Sequence, residues 1–195
     1  MKRNVLIGFI VLVSVLIVWW LADWLQYRQT LHMGLFMRTM HNMMSIAWGM
    51  GHHRVSSELD FLVNMIPHHQ EAVDTSARLA GITQNPALQE LTQSIVSGQS
   101  DEIAMMQWWL DTRYSDVSYE STYMPMMRDT AAISAITTIE RMWLEDMIKH
   151  HMGAVMMAQQ VLRQDPRPEV ADFARAVIAV QSEEIAMMQQ LLQDY

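Results

Sequence analysis

From Ser57 to about Leu79 apolar residues recur at the three-and-four spacing of a single helical face, and that rhythm returns three more times before Tyr195. The stretch "SELD" at Ser57 has the form of a capping box and opens the first run, for which Gly81 offers a stop. Pro86, behind Asn85, starts a second run that continues to about Leu110. A third opens near Thr138 in "TIE", reaches about Leu162 and breaks at "DPRP" (Asp165 to Pro168); a fourth then continues to about Leu192. Nothing between Ser56 and Tyr195 alternates with period two over a useful length. The predicted fold class is therefore all-α, a four-helix bundle of two antiparallel pairs. The linking segment "DTRYSDVSYESTYMPMMRDT", rich in Ser, Tyr and Asp, reads as a loop.

The two pairs are copies of one another. "MIPHHQ" at Met65 returns as "MIKHHM" at Met147, 82 residues later, and "QSDEIAMMQ" at Gln99 returns as "QSEEIAMMQ" at Gln181 with the same offset. Two matches in one register indicate a duplicated helical hairpin, about 56–111 and 138–193, within a bundle domain spanning 55–195.

Ahead of the bundle, Lys2 and Arg3 precede the uncharged run "VLIGFIVLVSVLIVWWLA", long enough to cross a bilayer as a helix. Trp19, Trp20 and Trp24 cluster at its far end, and the two positive charges mark the near end as cytoplasmic. A cleaved signal peptide needs small residues at alternate positions before the cut, which Trp20 to Ala22 does not supply. The expectation is an uncleaved anchor over 1–26, in the inner membrane of a bacterium, with the C-terminal domain in the periplasm. The chain has no cysteine, so neither a disulfide framework nor a lipid-modified cysteine is available. A net charge of -8 argues against a nucleic-acid surface.

Candidate chemistry lies in methionine and histidine. Met65 stands three residues before His68 and four before His69, so the three share a helical surface; Met147 stands likewise to His150 and His151. On the partner helices Glu102 precedes Met105 and Met106 by three and four, and Glu184 so precedes Met187 and Met188. Pro67 lies about ten residues inside the first helix, where proline costs roughly 3 kcal/mol. Its counterpart is Lys149, so the architecture does not require it. Pro67 either kinks the helix to turn His68 or His69 inward or is a tolerated irregularity.

Singly, a methionine on an apolar face is core filler more often than a ligand. Together, 20 methionines and 8 histidines, six of them in adjacent pairs, form a biased set. The third pair, His52 and His53, ends a segment (27–54) in which Met33, Met37, Met40 and Met44 line one helical face, with His41 between Met37 and Met44. Thioethers hold copper(I) and silver(I) well and compete poorly for iron, manganese, calcium or magnesium; imidazole suits copper(I) and copper(II) alike. Being neutral and unable to form disulfides, thioethers remain available in an oxidising compartment.

The paired motifs "MIPHHQEAV" with "QSDEIAMM" and "MIKHHMGAV" with "QSEEIAMM" resemble the bacterial family called domain of unknown function 305, over about Val55 to Leu192. The resemblance implies a ferritin-like four-helix bundle and periplasmic copper binding. It carries ligand roles onto Met65, His68, His69, Met105 and Met106, then onto Met147, His150, His151, Met187 and Met188. Glu71 and Thr75 stand where family members often have Gly and Met, whereas the second repeat keeps Gly153 and Met157, so the second site is expected to be richer in thioethers. Glu102, Glu184, Met152, Met157, Met37, His41, Met44, His52 and His53 are candidate further ligands.

The expected function is a membrane-anchored binder of copper(I) and silver(I) serving copper buffering, resistance or handover, with a copper exporter, chaperone or oxidase as partner. No phosphate loop and no serine or cysteine nucleophile beside a histidine is present, so no enzyme activity is expected. One alternative is a ferritin-like di-metal oxidase; it needs Glu-x-x-His on two helices, and "EIAM" puts methionine at that histidine. Another is a structural or assembly module whose methionines are core.

Overall fold

The computed structural model describes residues 54–195. The anchor expected at 1–26, and Met37, His41, Met44, His52 and His53 of the Met/His-rich segment, lie outside the described residues. Among the described residues no helix is long and apolar enough to cross a membrane.

Four helices follow in order: α1 (Glu58–Ala80), α2 (Pro86–Arg113), α3 (Ile136–Val161) and α4 (Pro168–Leu191), with short 3-10 turns after α3 and α4 and no strand among the described residues. Their limits follow from local chemistry. The Ser57 side chain accepts from the amide of Asp60 at 3.1 Å and caps α1. The return arm differs from a capping box, because Asp60 accepts from the amide of Ser56 at 2.8 Å. Asn85 caps α2 ahead of Pro86, where a missing N–H costs nothing. Pro168 opens α4 in the same way. Pro67 sits inside an unbroken α1.

α1 packs on α2, α3 packs on α4, and α1 packs on α3. Tyr114 at the end of α2 donates to Glu58 at the start of α1 (3.0 Å), so the first hairpin is antiparallel. The core has two apolar clusters. One joins Phe61, Met65, Met106, Trp109, Met157, Val161, Phe173 and Val177; the other joins Leu79, Leu88, Ile95, Trp143, Leu144, Met147 and Met188. Fully burying side chains of this size stabilises by about 1.5–3 kcal/mol each. A buried polar layer of His68, His69, Gln99, His150, His151, Gln181 and Glu184 belongs to neither cluster and lies between them along α1 and α3.

The two hairpins are tied at one end by an ion pair: Glu58 accepts from the amide of Arg167 (3.0 Å), its Nε (2.7 Å) and its Nη2. Burial alone would raise the Glu58 carboxyl; Arg167 and the Tyr114 hydroxyl outweigh it and hold it below the usual range. A carboxyl depressed in the folded state contributes stability that is present above its unfolded value, near 4.5, and is lost as pH falls through the folded value. Glu58→Gln should therefore lower the urea midpoint at neutral pH, and by less at a pH below the unfolded value near 4.5, where the contribution of the parent carboxylate is being lost. Equal losses at both pH values would assign the residue no electrostatic part.

Candidate metal centre

Both histidine doublets lie at mid-helix, on α1 and α3, and all four rings are fully buried. Successive residues of a helix point about 100° apart, so a doublet necessarily addresses two neighbours. The second histidine of each pair turns to its own hairpin. His69 Nε2 meets Glu102 Oε2 at 2.8 Å, and His151 Nε2 meets Glu184 Oε2 at 2.8 Å. The first histidine turns to the opposite repeat, where the rings of His68 and His150 stack with centroids 3.7 Å apart and planes inclined by 37°. His150 and His151 are equally buried behind Lys149, so an inward doublet does not require a proline.

The segment 114–135 crosses over this layer as a strap tied at three points. Asn64 Oδ1 accepts from the amide of Thr122 at 2.8 Å. Glu71 accepts from the Tyr123 hydroxyl and from the amides of Met126 and Met127, each at 3.0 Å. Asp146 accepts from Arg128 Nε at 2.6 Å. Glu71 also lies 3.4 Å from His150 Nε2. Burial pushes the Glu71 carboxyl up, yet His150, Tyr123 and the two amides together hold it at about 2. Burial likewise pushes the His150 imidazole down, only partly offset by Glu71, to about 4. His150 is thus neutral, and Glu71 ionised, at neutral pH.

An ionised carboxylate only accepts, so each of these contacts places the imidazole proton on Nε2 and leaves a lone pair on Nδ1. The Nδ1 atoms of His69, His150 and His151 are buried and have no hydrogen-bond partner. Leaving a buried acceptor unmet costs about 1–3 kcal/mol. Carboxylate on one ring nitrogen and an open second nitrogen is the arrangement by which proteins orient metal-binding histidines. The donors therefore fit a metal ion. Among the described residues no three His, Asp or Glu side chains group closely enough to hold an ion by themselves.

The methionines divide by helical phase. Met65, Met106, Met147 and Met188 are fully buried, Met157 is buried and Met152 partly so. Met105 and Met187 face outward, 38% and 49% exposed, because Met106 and Met188 take the inward position of each adjacent pair. Met157 does not enrich the methionines of its own repeat. The C-terminal part of α3 lies beside the N-terminal part of α1, so Met157 joins Met65 and Met106. Two features escaped the sequence reading: the strap with Tyr123, Met126 and Met127, and the buried amides of Gln99 and Gln181. The signals were present, in the departure of Glu71 from the repeat and in the shared "QS-EIAMMQ" block.

The model of the family Domain of unknown function (DUF305) matches residues 58–192. Among solved structures, silver-bound CopM is 29% identical, with a TM-score of 0.61 covering 72% of this chain and 98% of CopM. Copper(I)-bound CopM is 30% identical, with a TM-score of 0.60 over 69% of this chain and 94% of the other. A DUF305 fragment from Deinococcus radiodurans is 28% identical, with a TM-score of 0.60 over 73% of this chain and 99% of the fragment. No curated protein matches the chain. The duplicated hairpins, their paired histidines and the extent of the family match make this chain a member of the DUF305 family.

Proposed function

We propose that this protein binds copper(I) and silver(I) in the buried polar layer between its repeats, as a membrane-anchored buffer or handover protein outside the cytoplasm and not as an enzyme. The observation that carries the reading is the set of carboxylate-oriented imidazoles at His69, His150 and His151, each with an open Nδ1, in a layer between one apolar cluster that holds Met65 and Met106 and another that holds Met147 and Met188. Neutral thioether and imidazole donors suit a soft monovalent ion and leave the buried layer with less uncompensated charge than a carboxylate cage would. The related CopM has been solved with silver, copper(I) and copper(II) bound, in keeping with this donor set.

A di-metal oxidase would need carboxylates bridging two ions. Here Glu102 and Glu184 are each engaged with their own hairpin's histidine, and the described residues contain no group of three His, Asp or Glu donors. The full-length chain in detergent should hold copper(I) and silver(I) against a chromogenic chelator under conditions that strip zinc(II) and manganese(II). Purification with stoichiometric iron or manganese, unaffected by methionine replacement, would transfer the argument to the oxidase.

A further inference from the structure

Resting on the copper(I) reading, we propose that Met126, carried by the strap between the repeats, is a metal-binding thioether that meets His68 across a notch left by Gly153. Positions 71 and 153 are equivalent under the 82-residue repeat, yet one is Glu and the other Gly. The strap accounts for both. Glu71 grips it by the backbone, accepting from the Met126 amide with both carboxylate oxygens at 3.0 Å. Gly153 makes room for its side chain: a Cβ placed there would lie 3.2 Å from His68 Nε2, 3.7 Å from Met126 Sδ and 3.9 Å from the Met126 methyl. A thioether sulfur and an imidazole nitrogen therefore border one small volume that an ordinary side chain would fill.

Glycine is not needed at 153 by the backbone. The residue lies well inside α3, no glycine among the described residues has positive φ, and glycine weakens a helix relative to alanine. Space is the remaining reason. The Tyr123 ring, edge-on to His68 at 5.5 Å between centroids, covers the same region from the strap. Sulfur packed against an imidazole for contact alone is the competing account, and the two accounts part on what silver does to the methyl group.

The full-length chain, labelled with carbon-13 at its methionine methyls, should be titrated with silver(I), the Met126 resonance being identified by its loss in Met126→Leu. That resonance should shift. Met126→Leu should weaken copper(I) binding about tenfold or more, since even residues that only orient a ligand cost about 10- to 100-fold when changed. Met124→Leu, which removes a thioether 59% exposed on the same strap, should bind as the parent does. Gly153→Ala, which fills the notch, should weaken binding and abolish the shift. An unmoved Met126 methyl, or parental affinity in Met126→Leu while the parent binds, would overturn the assignment and leave the copper reading standing. Failure of the parent to bind either ion would overturn both.

Discussion

Replacing His68 and His150 together by leucine should lower copper(I) affinity by about 100-fold or more, close to 2.7 kcal/mol, while His150→Leu alone leaves the apoprotein at least as resistant to urea as the parent. The two effects separate because the buried His150 ring sits where an apolar side chain would be more comfortable. His150 Nδ1 is buried without a partner and its ring is held neutral, so removing it eliminates an unmet acceptor. Glu71 is not abandoned, since Tyr123 and the amides of Met126 and Met127 still donate to it. Because the pair bridges the repeats, either single replacement should weaken binding to a similar degree. Copper affinity and urea midpoint should be measured on the same preparations. Loss of stability with unaltered affinity would make the pair a structural device.

The fold was legible because helix limits are set by neighbours in sequence. Ser57, Asn85 and Pro86 each act within one turn, and the structure starts two helices where those residues placed them. The 82-residue repeat likewise announced equivalent roles, and His69–Glu102 and His151–Glu184 match to 2.8 Å in both copies. What spacing could not decide was phase. Met105 and Met106 follow Glu102 by three and four residues, both acceptable neighbours on a helix, and only the packing against α1 selects the second. The doublets pose the same problem, since which histidine meets its own hairpin and which meets the other repeat depends on the rotation of α1 against α3. The strap was hidden for another reason: Glu71 finds its partners 52 to 56 residues further along, through hydrogen bonds that no local pattern records.

The largest loss of stability from a single change in the polar layer should come from His151→Leu. It leaves the Glu184 carboxylate, with a side chain only 8% exposed, without its 2.8 Å partner. Breaking a buried pair from one side costs about 3–5 kcal/mol, because the remaining group keeps its desolvation and loses its compensation. The equivalent change His69→Leu strands Glu102, which is 23% exposed; water can reach that carboxylate, and the loss should be nearer about 1–3 kcal/mol. Urea denaturation of metal-free full-length protein would read both. In His151→Leu/Glu184→Leu most of the loss should return, since an apolar pair of similar volume is neutral or stabilising where a half-pair is not. Equal costs at the two sites would mean that burial does not govern these pairs, and failure of the double change to recover would mean that His151 is held by packing and not by its carboxylate. Recovery of stability without recovery of copper binding is the expected outcome. The carboxylates would then serve to aim the open Nδ1 atoms at the middle of the bundle, where burial leaves those atoms no water to bind.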